Sequence, residues 1–265
     1  MDERPPRVVD LEGLFGDAGA RADPGRRPHE PLAIFGYGPG LGAGTARTFG
    51  RNGFRIAAIG RDAAAAAERV AALRADGLDA EPFTADITDP TQLTEVIARV
   101  EEKLGPIEVA VHAAAAGISV RSASTRDVDR AALELPFALK VYSSIQLGRE
   151  LLPGMIARGR GALLFSSGAS EANLQPYLAN MGVALGAQRA YIRQLAAELD
   201  GTGVYAGLLA IGSLIEHSAV QEQVDAHPEL IPDGMVLPRI GNAELGAAYW
   251  RMYTERDTVE VEIGF

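Results

Sequence analysis

Leu32-Ala33-Ile34-Phe35-Gly36-Tyr37-Gly38-Pro39-Gly40-Leu41-Gly42-Ala43-Gly44 is the stretch on which the reading of the whole chain turns. Four apolar residues suited to a buried strand run into a glycine-rich turn, and the turn runs into Thr45-Ala46-Arg47-Thr48-Phe49, which reads as a helix. Positions without a side chain let the backbone bend sharply and approach a pyrophosphate, whose charge then rests on the free N–H groups of the helix start. A glycine pattern alone is weak. Here a second strand, Phe54-Arg55-Ile56-Ala57-Ala58-Ile59, follows in the required order, so a dinucleotide site outweighs the plainer reading of a tight turn.

Outward from that turn, short apolar runs alternate with helical stretches, the pattern of repeated βαβ units and a parallel sheet. The pattern predicts strands at about 31–35, 54–59, 80–84, 107–112, 161–165, 203–209 and 258–263. Helices fill the gaps. One is the Ala-rich run Ala63 to Ala75, with Glu68, Arg69 and Arg74 facing outward, and another opens at Asp89-Pro90. Two longer ones are expected at about 128–158 and 176–199. The fold class is therefore α/β, a single Rossmann-type doubly wound domain over residues 31–265. Residues 1–30 mix charge, Gly and Pro and read as an extension, either flexible or docked on the body or a neighbouring subunit through Val8 to Phe15.

Composition narrows the function classes. At 265 residues with 47% hydrophobic and 23% charged residues the chain has the balance of a globular protein, and no run approaches the roughly 20 apolar residues that span a bilayer. A net charge of -10, with no stripe of Lys and Arg, argues against nucleic acid as a partner. The absence of cysteine excludes disulfides and thiolate chemistry, and His29, His112, His217 and His227 are too scattered to predict a metal site. The opening Met1-Asp2-Glu3-Arg4-Pro5-Pro6-Arg7 lacks the apolar core of a secretion signal, so a cytoplasmic location is expected.

Strand two ends in Gly60-Arg61-Asp62, where the ribose next to adenine is read. An acid there favours NAD, whereas an arginine pairs with the 2′-phosphate of NADP. Arg61 comes first, so NADP(H) is the expected cofactor, with NAD(H) or none as the alternatives. The competing reading makes Arg61 a solvated loop charge and Asp62 the cap of the next helix.

The glycines Gly36, Gly40 and Gly42, the segment Ala85-Asp86-Ile87-Thr88-Asp89, and His112-Ala113-Ala114-Ala115-Ala116-Gly117 together resemble the short-chain dehydrogenase/reductase family. Further anchors are Leu152-Pro153-Gly154-Met155, Gly161-Ala162-Leu163-Leu164-Phe165-Ser166-Ser167 and Leu195-Ala196-Ala197-Glu198-Leu199, so the likeness covers about residues 31 to 265. The resemblance implies a seven-stranded parallel sheet and cofactor contacts from Gly36, Gly40, Leu41, Gly42, Arg61 and Ala114. Asp86 and Ile87 would flank the adenine, and Gly212 would sit where the family seats the nicotinamide amide. It also implies hydride transfer between a nicotinamide and a carbonyl or alcohol, assisted by Ser, Tyr, Lys and Asn. Here the sequence departs. The Tyr position falls on Met181, the Lys position on Leu185 and the Asn position on Lys140, leaving only Ser167 or its neighbour Ser166. Neither Met nor Leu donates a proton.

Three residues remain as catalytic candidates. Ser167 ends strand five at the ligand cleft. Lys140 lies in an apolar stretch and is either a cleft group or a snorkelling surface residue, and Tyr177 follows Pro176 at a helix start. His112 is read as a core histidine before a ribose contact, the stretch His217 to Gly234 as a substrate lid, and Tyr249 and Trp250 as packing or subunit contact. The leading functional reading is a divergent NADP(H)-dependent oxidoreductase of a small carbonyl or alcohol metabolite. The alternatives are a non-redox biosynthetic enzyme (dehydratase, isomerase or cyclase) on the same scaffold and a catalytically silent subunit. A homodimer or homotetramer is expected, or a hetero-oligomer with an active homologue.

Overall fold

A computed structural model of the protein describes residues 7–8, 29–115, 121–168, 174–230 and 238–264. In chain order the elements are β1 (Arg7–Val8), β2 (Pro31–Phe35), α1 (Leu41–Arg51), β3 (Arg55–Gly60), α2 (Ala63–Ala75), β4 (Ala80–Thr84), α3 (Pro90–Leu104) and β5 (Val109–His112). There follow α4 (Arg130–Phe137), α5 (Ser143–Arg158), β6 (Gly161–Gly168), α6 (Ala179–Glu198), β7 (Val204–Ile211), β8 (Leu214–Ile215), α7 (Ala219–Ala226), β9 (Arg239–Ile240), α8 (Asn242–Glu255) and β10 (Glu260–Ile263). The seven expected strands form one parallel sheet in the order β10-β7-β6-β5-β2-β3-β4, and β1 extends it at the β10 edge. A short parallel pair, β8 with β9, stands apart. Of the N-terminal extension, β1 and residues 29–30 are described; residues 1–6 and 9–28, including most of the apolar stretch ending at Phe15, lie outside the described residues.

The sheet is covered on both faces, which is why β2 and β7 are apolar and buried throughout. One core gathers Leu32, Ile34, Phe49, Phe54, Val70 and Tyr249 between the sheet and α1, α2 and α8. The other gathers Phe35, Val96, Leu147, Phe165 and Ile192 beneath α3, α5 and α6. Asp62 and Asp89 begin α2 and α3 as N-caps, accepting from Ala64 and Ala65 and from Thr91 and Gln92. Trp250 and Tyr249 pack inside: Trp250 sets its edge on Phe49 at a centroid distance of 5.1 Å, and Tyr249 is fully buried. Because β3 and β4 lie on one side of β2 while β5, β6 and β7 lie on the other, the chain reverses direction between β2 and β5. A ligand crevice opens at the carboxyl ends of strands at such a switch point.

Candidate functional site

At that crevice the backbone does most of the shaping. Gly36 follows β2 with φ +86°, and a Cβ there would lie 2.5 Å from the Cα of Ala114, just past β5, so only glycine lets the two strand ends approach this closely. Gly42 lies against Tyr37, where a Cβ would come within 3.1 Å of backbone. Gly40 faces the segment after β7, with a Cβ meeting Ile215 at 2.9 Å and Ser218 at 3.2 Å. Gly40 N-caps α1 with no side-chain bond, and the N–H groups of Ala43 and Gly44 are taken by the carbonyls of Gly38 and Gly40. Those of Leu41 and Gly42 are the first helical N–H groups and have no intrahelical acceptor, which leaves them to an anion. Tyr37, whose ring could have plugged this crevice, is instead folded into the core near Arg47 and Arg69. The remaining glycine of the run, Gly44, serves packing: it abuts Asn242, while Gly246 of α8 abuts the Gly44 carbonyl.

The other predicted cofactor contacts lie just past the carboxyl ends of β3, β4, β5 and β7. Arg61 is exposed at the end of β3. Asp86 holds its own turn by accepting from the N–H and the hydroxyl of Thr88, and Ile87 is buried beside it. Ala114 is buried against Gly36, and Gly212 follows β7 with its N–H given to the Ile263 carbonyl. Asp62 caps α2, as one sequence reading allowed, and this leaves Arg61 free of that carboxylate. Arg69 differs from expectation. It is half-buried rather than outward, and its Nη1 donates to the Tyr37 carbonyl at 3.4 Å because α2 passes directly beneath the glycine turn.

At the carboxyl end of β6 the chemistry is carried by side chains. Between α4 and α5 the helix widens into a π turn, Ala138–Tyr142, closed by the Ser143 N–H donating to the Ala138 carbonyl. Beside it the hydroxyls of Ser143 and Ser144 donate to the carbonyls of Leu139 and Lys140 at 2.6 Å each. Lys140, at the middle of the turn, is thereby aimed inward and only 4% exposed, which decides between its two sequence readings in favour of the interior. Its Nζ donates to the Ser166 carbonyl at 3.1 Å, with the Ser166 Oγ at 3.5 Å. Among the described residues it has no acidic partner, and burial pushes its pKa down to about 8. The Ser167 Oγ is buried and has no partner among the described residues. Side chains alternate along a strand, so Ser167 shares the face of Phe165, which is the face α5 and α6 cover.

His112 belongs to the same cluster but not as a satisfied core histidine. Its Nε2 meets Ser143 Oγ at 2.8 Å, and since that hydroxyl already donates to Leu139, Nε2 carries the proton. Nδ1 is buried without a partner among the described residues. Burial, with the nearby charge of Lys140, holds the ring neutral with a pKa of about 3. From α6, Gln188 donates to Ser144 at 3.1 Å and so ties that helix to the π turn.

Leu185 is buried, lying 3.3 Å from where a Cβ of Gly168 would stand, so the surface that α6 turns toward the end of β6 is apolar. Tyr177 is 37% exposed, sits in the 3-10 turn Pro176–Leu178 rather than on α6, and donates to Gln175. None of its described bonds reaches Lys140 or Ser167. Sequence reasoning missed Asn180. Fully buried, it accepts from Ala123 N–H and donates to the carbonyls of Arg121 and Ala132. The Ala132 carbonyl is the one that Pro136, lacking an N–H, cannot serve, and that proline four residues on was the available signal. Of the expected lid from His217 to Gly234, residues 217–230 are described and include α7, while 231–234 lie outside the described residues.

Comparison with known proteins fits this geometry. A family model described as Enoyl-(Acyl carrier protein) reductase matches residues 36–231. The chain is 30% identical over 77% of its length to 2-(S)-hydroxypropyl-CoM dehydrogenase 3 of Xanthobacter autotrophicus, covering 80% of that protein. It is 31% identical over 70% of its length to the inactive 2-(S)-hydroxypropyl-CoM dehydrogenase 2 of the same organism, covering 79% of it. Among solved structures, L-sorbose reductase from Gluconobacter frateurii, complexed with NADPH and L-sorbose, superposes with a TM-score of 0.77 at 19% identity, covering 89% of this chain and 94% of that one.

Proposed function

The chain belongs to the short-chain dehydrogenase/reductase family, and on that footing we propose that it is an NADP(H)-dependent oxidoreductase of a small carbonyl or alcohol metabolite with a rebuilt proton site. The observation that carries this is Lys140: an ammonium buried against Ser166, the residue before Ser167, without a carboxylate among the described residues, at the carboxyl end of β6. The glycine cradle supports the cofactor half of the reading, since Gly36 and Gly40 leave no room for a Cβ and the Leu41 and Gly42 N–H groups face an anion site. Arg61 would take the 2′-phosphate, Asp86 and Ile87 the adenine side, and Ala114 and Gly212 the nicotinamide half.

When bound, the dinucleotide supplies the hydride. The Ser167 hydroxyl orients the substrate oxygen, and the Lys140 ammonium donates the proton that this oxygen needs as the carbonyl carbon accepts the hydride; the amine then regains a proton from water. A lowered pKa suits this work, because an ammonium near 8 gives up its proton far more readily than an ordinary lysine. Exposed Leu135, Tyr142, Ile156 and Val183 on α4, the π turn, α5 and α6 support a homo-oligomer joined through these helices.

A second reading, a silent subunit that pairs with an active homologue, is favoured by two observations: apolar Leu185, assigned to the family's Lys position, faces the end of β6, and an inactive relative is similar over most of the chain. Titration with NADPH and NADP⁺, followed by a panel of ketones and aldehydes, separates the readings. Carbonyl-dependent loss of NADPH absorbance is expected. Tight NADPH binding with no turnover supports the silent subunit, and no binding of either nucleotide overturns both the cofactor assignment and the enzyme.

A further inference from the structure

We infer that Arg69, on α2, is a second cation for the adenosine end of the dinucleotide and grips a phosphomonoester on its ribose together with Arg61. The inference rests on the cofactor reading above and adds to it a residue that sets specificity.

Geometry places Arg69 at the right corner. Its Nη1 donates to the Tyr37 carbonyl in the glycine turn, and that same oxygen lies 3.7 Å from where a Cβ of Gly60 would stand, at the end of β3 one residue before Arg61. The guanidinium therefore lies where the glycine turn meets the strand end carrying Arg61. One of its five N–H donors is used on the turn; the rest of the planar fork is available to two oxygens of a phosphate.

Charge points the same way. Around this edge of the sheet Arg47 pairs with Asp76, Arg55 with Asp79, and Arg74 and Lys103 with Glu81, while Arg99, without an acid among the described residues, is spent on the Thr84 carbonyl at the end of β4. Among the described residues Arg61 and Arg69 form no ion pair, although the chain as a whole carries a net charge of -10. Asp62, the acid nearest in sequence to Arg61, is committed to the N–H groups of Ala64 and Ala65. Two cations left without acids beside an anion-binding turn are complementary to a dianionic group, and a ribose 2′-phosphate is the group a dinucleotide would bring there.

The test uses the full chain and needs no turnover: equilibrium titrations with NADPH, NADH, 2′,5′-ADP and 5′-AMP on wild type, Arg61→Ala and Arg69→Met. Methionine keeps much of the aliphatic stem and removes the fork. Arg69→Met is expected to weaken NADPH and 2′,5′-ADP about tenfold or more, as loss of a charge-assisted contact does, while NADH and 5′-AMP stay within about twofold. Equal weakening of phosphorylated and unphosphorylated ligands would mean that Arg69 only props the turn, and no change in either would mean that it touches neither; both results overturn the inference. Should Arg69→Met fail to fold, Arg69→Lys, which keeps charge without the fork, is expected to lose NADPH preference partially and serves the same comparison. A wild-type chain that binds no dinucleotide sinks the cofactor reading itself, whereas NADPH binding with an unchanged preference in the Arg69 variants sinks only this one.

Discussion

The glycine turn after β2 and the cluster around the π turn lie at the carboxyl ends of strands of one sheet but are built from different material. The first is backbone: a left-handed Gly36, close approach to Ala114, and two helical N–H groups with no acceptor in the helix. The second is side chains: Lys140, Ser166, Ser167, His112 and Ser143, held by a helix widened by one residue per turn. Backbone chemistry does not change when residues do, as long as the glycines remain. Side-chain chemistry can be exchanged one residue at a time, and the proposed function assigns such an exchange here: Met181 and Leu185 would stand at the family's Tyr and Lys positions, with Lys140 supplying the proton from the neighbouring helix. A scaffold of this kind keeps its ligand pocket while its reaction is free to drift.

The comparison breaks most forcefully at Gly36. Gly36→Ala puts a Cβ 2.5 Å from the Ala114 backbone in a conformation that L side chains rarely adopt, and neither strand end can retreat without disturbing the β2–β5 pairing. Positive-φ strain and overpacking together should cost about 2–5 kcal/mol of stability. NADPH affinity should fall by about a hundredfold, the equivalent of roughly 3 kcal/mol lost from the anion cradle. Urea unfolding and a fluorescence titration read the two effects, and intact binding in a folded variant would mean that the turn is not the phosphate site.

Lys140→Met probes the other region and should separate activity from binding. The variant removes a buried charge without emptying its volume, so turnover should drop about a hundredfold, the size of a lost general acid, while NADPH affinity is unchanged. The wild-type pH profile gives the same answer independently. If the ammonium is the proton donor, reduction declines as pH rises through about 8, and the Met variant loses that limb. Stability moves oppositely. A lysine depressed from its ordinary value by burial penalises the fold throughout the range below about 8, and the penalty is relieved as pH climbs toward the unfolded pKa, so wild type should gain on the variant between those limits. Equal activity in the two proteins would favour the silent-subunit reading.

How much of this was legible in the sequence follows the same division. The seven strands were found to within a few residues because parallel strands buried on both faces read as apolar runs, and the helix starts because Asp62 and Asp89-Pro90 are local capping signals. Gly36 was legible as a turn, but that Gly44 serves the contact between α1 and α8 was not, since its partners Asn242 and Gly246 are about 200 residues away. The inward aim of Lys140 could not be read either: a helix with regular spacing gives no hint of a π turn, and only the paired hydroxyls of Ser143 and Ser144, which bond the Leu139 and Lys140 carbonyls, hinted at local irregularity. Arg69 looked exposed by its place on an Ala-rich helix, and only the path of α2 beneath the turn makes it a ligand candidate.

The smallest expected effect comes from a buried charge at the opposite end of the sheet, and it tests whether the two regions of the cleft act apart from the rest of the fold. Glu30, Glu108 and Arg160 immediately precede β2, β5 and β6, so they meet at the amino ends of three adjacent strands. Arg160 pairs with Glu30 and lies 3.4 Å from Glu108, while Arg158, which donates to the Ile107 carbonyl, and Arg256 add weaker positive charge. Burial first, then repulsion from Glu30, raises the Glu108 carboxyl to about 7. A carboxyl raised by folding contributes stability that is complete below its unfolded value near 4.5 and is lost as pH rises through about 7. Glu108→Gln keeps an acceptor for Arg160 and removes the ionisation. The variant should therefore match wild type near pH 4 and exceed it by about 1–3 kcal/mol at pH 8, the lower figure reflecting the partly exposed Arg160. NADPH affinity and the pH limb assigned to Lys140 should not move, because the site lies at the amino ends of the strands and the cleft at their carboxyl ends. A shifted activity profile in this variant would mean that the two ends of the sheet are coupled and that the Lys140 limb cannot be read as a local titration.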